Sequence, residues 1–370
     1  MNRRRFCGGL LVSSLGATWA VRADEPRRVT DMAGRSVTLP RLPGRIVLLE
    51  ARDILCMAML HPDPASLVVG WAAVDRIDSP QVQASFERGG PMPVVGQQTP
   101  ETLSVEGILA LSPDLVVASS YMVPQGSDAL LARLSALGIP VVFSEVASNA
   151  VPSAPVGPVE NLHRQVRMWG DVLGAREQAT AFSAFADAHL AEVAKRLKGA
   201  APVTTYLEVQ STLDDCCWVA GTQVWGELLT LAGGTTLPAV TAPWFQKLQL
   251  EYLVRTPHDV YIASGGGWSA GRRPAIGPGI PAAEGRDGLE RLVARTGFAS
   301  LPSVRRHRVH GIWTGLITSP PFNVLFVEIA AKWLHPERLR DLDPAATLAE
   351  LNRRFLAVPI EGPLWVSIQE

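Results

Sequence analysis

Three things are scarce in this sequence. Charge of one sign is the first, since 34 Lys and Arg face 35 Asp and Glu. No basic run follows the first residues, so the electrostatic footprint of a nucleic-acid binder is missing and neither DNA nor RNA is an expected partner. Long apolar runs are the second: beyond residue 21 no stretch of about 18 apolar residues suggests a membrane span. Cysteine is the third, with only Cys7, Cys56, Cys216 and Cys217. Adjacent cysteines seldom pair with each other, and an odd number beyond the first residues leaves one thiol free. Connectivity is therefore open, and buried thiols acting as small apolar side chains are an equal reading.

What is present at the start is a basic Met1-Asn-Arg-Arg-Arg-Phe6, a short apolar run to Val21, and small residues before Asp24. That is the pattern of a secretory signal over residues 1–23, cleaved near Asp24. Arg3-Arg4-Arg5-Phe6 fits both the twin-arginine and the general export route. Cys7 precedes the apolar run, so lipid attachment is not expected. Loss of Arg3, Arg4, Arg5 and Arg22 leaves 30 basic residues against 35 acids, about −5. With 47% hydrophobic residues overall, the remainder is long enough for two packed cores.

Short β-type runs alternate with helical patterns. Arg45–Leu49, Leu67–Gly70, Asp114–Ala118 and Pro140–Phe143 each carry a continuous apolar run, as suits strands covered on both faces. A second set follows: Val203–Val209, Asp259–Ala263 and His307–His310, with a helix over Trp225–Leu231. Between the sets, Arg176–Lys198 lacks Gly and Pro and spaces Ala179, Phe182, Phe185, Ala186, Leu190, Val193 and Leu197 by three and four. That predicts an amphipathic helix of roughly 35 Å, long enough to bridge two lobes. The expected fold is α/β: two lobes, each a mostly parallel sheet flanked by helices, over residues 24–174 and 200–370, joined by a helix at 175–199. Gly265–Gly288, rich in Gly and Pro, reads as a long surface loop.

An internal repeat supports two lobes. Ser104–Ser119 can be laid over Gln249–Ser264, with Glu106 matching Glu251, 145 positions later, and with Asp114 and Ala118 matching Asp259 and Ala263. Two copies mean duplicated lobes, not a solenoid.

The repeat, together with Asp31–Pro40, Pro43–Val47, Pro93–Gly96, Leu137–Val142 and Leu231–Gly234 in this order, resembles the periplasmic binding proteins of importers for ferric siderophores, haem and cobalamin. The resemblance covers most of the chain beyond the signal. It implies a monomeric receptor without a cofactor, located in the periplasm, that hands a small-molecule ligand to an ABC importer permease. An iron–siderophore complex ranks first, with haem or cobalamin as alternatives. It also implies that Glu106 and Glu251 engage permease arginines, although a carboxylate at a helix start can equally serve the helix dipole. The ligand would lie between the lobes, against the loops after the strands. Those loops offer Glu50, Arg52, Trp71, Arg76, Tyr121, Trp268 and Trp313: aromatic faces for planar ligands and forked donors for carboxylate or catecholate oxygens. Each tryptophan could instead simply pack against a neighbouring loop.

Competing chemistry is weak. Gly267-Trp268-Ser269-Ala270-Gly271 matches a nucleophile elbow, with Asp287 and His310 downstream, but Arg272-Arg-Pro-Ala-Ile-Gly-Pro-Gly279 cannot form the required helix. A serine hydrolase is therefore a remote alternative, and the chain is not expected to be an enzyme. The seven histidines are scattered, so a bare-metal site would require His163, His310 and an acid such as Glu50 to converge. No metal site is expected.

Overall fold

A computed structural model describes residues 26–124, 128–145, 156–267 and 271–369. The secretory-signal segment lies outside the described residues, as do Trp268, Ser269 and Ala270. No helix among the described residues is long and apolar enough to cross a membrane.

The chain opens with a hairpin of β1 (Arg27–Thr30) and β2 (Ser36–Leu39). Five strands then form a wholly parallel sheet: β3 (Ile46–Leu48), β4 (Val68–Ala72), β5 (Val94–Gly96), β6 (Leu115–Ser119) and β7 (Val141–Glu145). Their spatial order is β5-β4-β3-β6-β7. The order reverses between β3 and β6, and in an open α/β sheet the crevice at such a point, beyond the carboxyl ends, is where ligands bind. Ile46, Leu48, Leu115 and Val117 face one buried layer; Val47, Leu49, Val116 and Ala118 face another. Burial on both faces is why these strands read as uninterrupted apolar runs.

The second sheet contains β8 (Val203–Glu208), β9 (Trp218–Ala220), β10 (Gly234–Thr235), β11 (Phe245–Lys247), β12 (Val260–Gly265), β13 (Val309–Trp313) and β14 (Trp365–Ser367). Its order is β11-β9-β8-β12-β13-β14, with β10 also beside β8. The centre, β8-β12-β13, is parallel, while β9 pairs antiparallel with β8, β11 with β9 and β14 with β13. The repeated segments occupy equivalent positions: helix Val105–Ala110 feeds β6, and helix Leu250–Arg255 feeds β12.

The helix Pro158–Leu173 packs on β1, β7 and the helix Asp53–Leu60. It stops at Gly174, whose φ of 69° lies in the left-handed region that favours glycine. The chain turns there into the bridging helix, Arg176–Arg196. Its buried face is Ala179, Phe182, Phe185, Ala186 and Val193, with Leu190 and Leu197 partly buried beside them. Its N-terminal half meets Pro158–Leu173, and its other end meets the buried helix Asn323–Leu334 of the second lobe. At about 1.5 Å per residue it extends roughly 32 Å.

Two expectations are corrected. Cys216 and Cys217, which adjacency argued against pairing, form a disulfide, and Cys56 is a buried free thiol. The proposed loop Gly265–Gly288 is shorter, because the helix Ala282–Val293 begins inside it. It is also no mere surface feature: Arg273, Pro274, Ile276, Gly277 and Pro278 are buried.

One buried ion pair fastens the bridging helix to the second lobe. His189 Nδ1 lies 2.7 Å from Oε1 of Glu328, a side chain with 1% exposure. The hydrogen bond to Glu328 is the main reason the imidazole holds its proton above its usual pKa, against the opposing effect of burial. Such a group contributes stability that is fully present below the unfolded-state value, about 6.5, and is lost as pH rises through the raised folded value. We therefore expect the thermal midpoint to fall as pH is raised from 6 to 8.5, and His189→Gln to flatten that slope. Calorimetry across this range checks it.

Candidate functional site

The loops at the carboxyl ends of the two sheets face each other. On the first lobe the site is built around Glu50, which follows β3 at the reversal point and is 1% exposed. Arg76 Nη1 donates to Glu50 Oε2, and Arg52 Nε lies 3.4 Å from Oε1. Ser119, the last residue of β6, places its Oγ 3.4 Å from Oε2. The strands on either side of the reversal point are thus joined by one carboxylate.

Both arginines have further partners. Arg52 Nη2 donates to Glu145 Oε2 at 2.6 Å, and Arg76 Nη2 donates to the Gln98 carbonyl at 2.8 Å. Burial disfavours the Arg52 charge, but Glu145 and Glu50 more than offset it and hold the guanidinium above its ordinary pKa. Burial pushes the Glu145 carboxyl up, opposed by Arg52. It also pushes Asp53 well up, although Ser144 Oγ donates to Asp53 Oδ2 at 2.5 Å. The formal charges of Arg52 and Arg76 are balanced by those of Glu50 and Glu145.

The turn that carries Arg76, Val74–Ile77, is flanked by Ala73 and Asp78, both with positive φ (53° and 55°). The Arg76 guanidinium lies 4.5 Å above the ring of Tyr121, a cation–π contact, and Tyr121 is 43% exposed. The structure brings Arg52, Arg76 and Tyr121, three of the candidates offered by the sequence, into one constellation.

Trp71 and Trp313 are placed otherwise. Trp71 is fully enclosed in the core and presents no face in this conformation. Trp313 is also fully enclosed, and its Nε1 donates to the Asp78 carbonyl at 3.1 Å across the two lobes. Trp71 lies within β4 and Trp313 ends β13, not in the loops beyond them, so both are drawn into the packing, which is the alternative each tryptophan carried.

Asp78 is the centre of a seam between the lobes. Gly267 N donates to its carbonyl at 3.2 Å, its carboxylate lies 3.9 Å from Arg273 Nη1, and Ser79 Oγ donates to the Pro278 carbonyl at 3.2 Å. A Cβ on Gly266 would lie 2.0 Å from Asp78 Oδ2, so only glycine permits this approach. Arg273 also donates to Thr314 Oγ1 at 2.7 Å. Behind the seam, a cavity of about 20 Å³ is lined by Arg52, Asp53, Glu145 and Gln165 on one side and Ser319 and Pro320 on the other. It has room for a water molecule.

Glu145, Asp53, Asp78 and Arg273 were not singled out from the sequence. Glu145 could have been found by extending the Pro140–Phe143 strand two residues; the pairing of Asp78 with Arg273, 195 positions apart, leaves no local signal.

Glu106 and Glu251 lie in the first turns of matching helices and are exposed. Ser104 Oγ, not Glu106, caps the first helix by accepting from Gly107 N at 3.0 Å. Glu106 accepts from exposed Arg133 at 3.2 Å. His163 pairs with Asp187 on the outer face of the helices, while His310 bonds Ser367 and stacks on Trp333, 4.3 Å between rings. Burial, aided by Arg308, lowers the His310 pKa to about 3. The three groups that a bare-metal site required do not meet, and among the described residues no group of three or more His, Cys, Asp or Glu is placed to hold a metal ion. Ser269 of the elbow motif lies outside the described residues, and the next helix after Gly271 starts only at Ala282.

A binding cleft between two parallel-rich sheets joined by one long helix defines a solute receptor. The chain belongs to the periplasmic binding protein family, whose model matches residues 57–312. No curated protein matches the sequence. Among solved structures, it is similar to the TroA-like periplasmic binding protein FepB from Veillonella parvula, with 22% identity over 93% of this chain and 100% of that one and a TM-score of 0.78. An ABC-type Fe3+-hydroxamate transport system protein from Saccharomonospora viridis shares 20% identity over 84% of this chain and 99% of its own, TM-score 0.60. A periplasmic heme binding protein from Pseudomonas aeruginosa shares 20% over 88% and 98%, TM-score 0.58. At these identities the likeness is one of fold.

Removing one partner from a buried ion pair leaves the others uncompensated, at about 3 kcal/mol or more. Glu50→Ala is accordingly expected to lower unfolding free energy by about that amount, read from urea midpoints.

Proposed function

We propose that this protein is the exported, soluble receptor of an ABC importer, that it captures an iron–siderophore complex between its lobes and delivers it to the permease, and that it catalyses no reaction. The observation that carries the reading is the convergence of Arg52, Arg76 and Tyr121 around Glu50 at the reversal point of the first sheet. Guanidinium forks and an exposed ring suit an oxygen-rich chelate.

Charge narrows the ligand. Glu50 and Glu145 already balance Arg52 and Arg76, so the site offers directed donors without a surplus of positive charge. A ferric complex of hydroxamates, in which ligand charge offsets the metal, fits that balance better than a strongly anionic tris-catecholate complex. Haem is the second reading, favoured by the exposed Tyr121, because a tyrosine oxygen can ligate ferric haem iron. Cobalamin belongs to the same family of ligands, and no feature of the cleft singles it out.

The ten tryptophans make fluorescence a suitable readout. Titration with a ferric trihydroxamate should quench emission, and Arg76→Ala should weaken binding roughly tenfold or more, the size expected for hydrogen bonds to a charged group. A Soret shift with haem that disappears in Tyr121→Phe would instead establish the second reading; silence toward the trihydroxamate, haem and cobalamin would refute the ligand class.

Glu106 and Glu251 are the proposed permease contacts. With Ser104 serving as the cap, Glu106 is not needed for that task. Glu106→Ala and Glu251→Ala should abolish uptake while ligand affinity stays unchanged; loss of affinity would overturn the assignment.

A further inference from the structure

The Cys216–Cys217 disulfide lies in the loop 209–217, which joins β8 to β9 on the cleft side of the second lobe. Two sets of bonds hold this loop. From below, the buried Glu208 carboxylate accepts from Cys217 N at 3.0 Å and from Arg295, whose Nη1 also donates to the carbonyls of Thr212 (2.8 Å) and Asp215 (3.1 Å). Alongside, the loop is laced to the segment that reaches the first lobe. Leu213 N donates to the Arg272 carbonyl at 2.8 Å, Arg272 Nη2 donates to Asp214 at 2.7 Å, and Ser264 donates through its N to Ser211 Oγ and through its Oγ to the Val209 carbonyl. The next residue, Arg273, is the one that faces Asp78 across the seam.

Adjacent cysteines joined to each other close a small ring through the intervening peptide. Here Cys217 is held at φ 81°, a conformation that non-glycine residues seldom adopt. Cutting the ring frees the backbone at the base of the loop, two residues from Asp215 and four from Leu213. Cys216 is half-buried and Cys217 is buried, so an incoming thiolate meets the Cys216 sulfur first.

We propose that the Cys216–Cys217 disulfide is a redox-operated brace of the lobe seam. Oxidised, it fixes the loop and, through Arg272 and Arg273, the contact with Asp78 that ties the lobes together at the seam. Reduced, it releases the loop and loosens the seam. The step consumes a dithiol: one thiolate attacks the Cys216 sulfur, the S–S bond breaks, and Cys217 leaves as a thiolate that takes up a proton. The second thiol of the reductant then displaces Cys216 from the mixed disulfide. Both cysteines end as thiols and the reductant as a disulfide. The brace lies outside the Arg52–Arg76–Tyr121 constellation and operates whatever ligand fills it.

Amide hydrogen exchange of the whole protein tests this without a ligand. Treatment with dithiothreitol should speed exchange on the order of tenfold in three places: the loop 209–217, the seam residues 265–267 and 271–274, and the first-lobe turn at 76–81. Reoxidation should restore the original rates, which separates the effect from unfolding. Asp78→Asn, which loosens the seam from the other side, should speed 76–81 and the seam residues 265–267 and 271–274 while leaving 209–217 protected. The proposal falls if reduction affects 209–217 alone, or if Cys216 and Cys217 alkylate under denaturing conditions in protein never exposed to a reductant.

Discussion

A single buried carboxylate organises the first lobe's half of the cleft. Glu50 sits where the sheet order reverses, and a lone charge there would be untenable without partners. Arg52 and Arg76 supply them, one from the following helix start and one from the next crossover, and Ser119 closes the gap from β6. Each arginine then has donors left over: Arg52 reaches Glu145 and Arg76 reaches the Gln98 carbonyl. The carboxylate therefore sets where two guanidinium groups point, and through Arg76 it also sets what lies above Tyr121.

The second lobe meets this arrangement through backbone as much as through side chains. Gly267 N, Trp313 Nε1 and Arg273 all turn to Asp78, and glycine at 266 admits the approach. Closure thus depends on a few polar contacts at the front and on the stiffness of the bridging helix behind. A long helix bends little, so the lobes are expected to rock about its ends and not to slide past one another. His189 with Glu328 fixes the far end of that helix.

Much of this was legible in the sequence because it is local. Apolar runs such as Asp114–Ala118 signal strands covered on both faces, and the spacing of Phe182, Phe185, Ala186 and Val193 marks the buried face of the bridging helix. Arg52, Arg76 and Tyr121 could be placed because each follows a strand whose end is recognisable. Burial could not be read in the same way. Trp71 and Trp313, expected just beyond their strands, belong to β4 and β13 and are enclosed, since what lies opposite a side chain is decided by distant segments. The outer strands β11 and β14, and β9 beside β11, are too short to give a periodic signal. The disulfide contradicted a sound statistical expectation, because Glu208, Arg295 and Asp215 hold the backbone where two neighbours can join.

The left-handed conformations of Ala73 and Asp78 have a consequence for the energetics of capture. Neither residue is glycine, so both conformations carry a cost that the surrounding contacts meet when the chain folds. The turn between them delivers Arg76 already oriented, its head fixed by Glu50 and Gln98. A side chain that is ordered before the ligand arrives has little rotational freedom left to surrender, and this preorganisation favours affinity from a modest number of contacts.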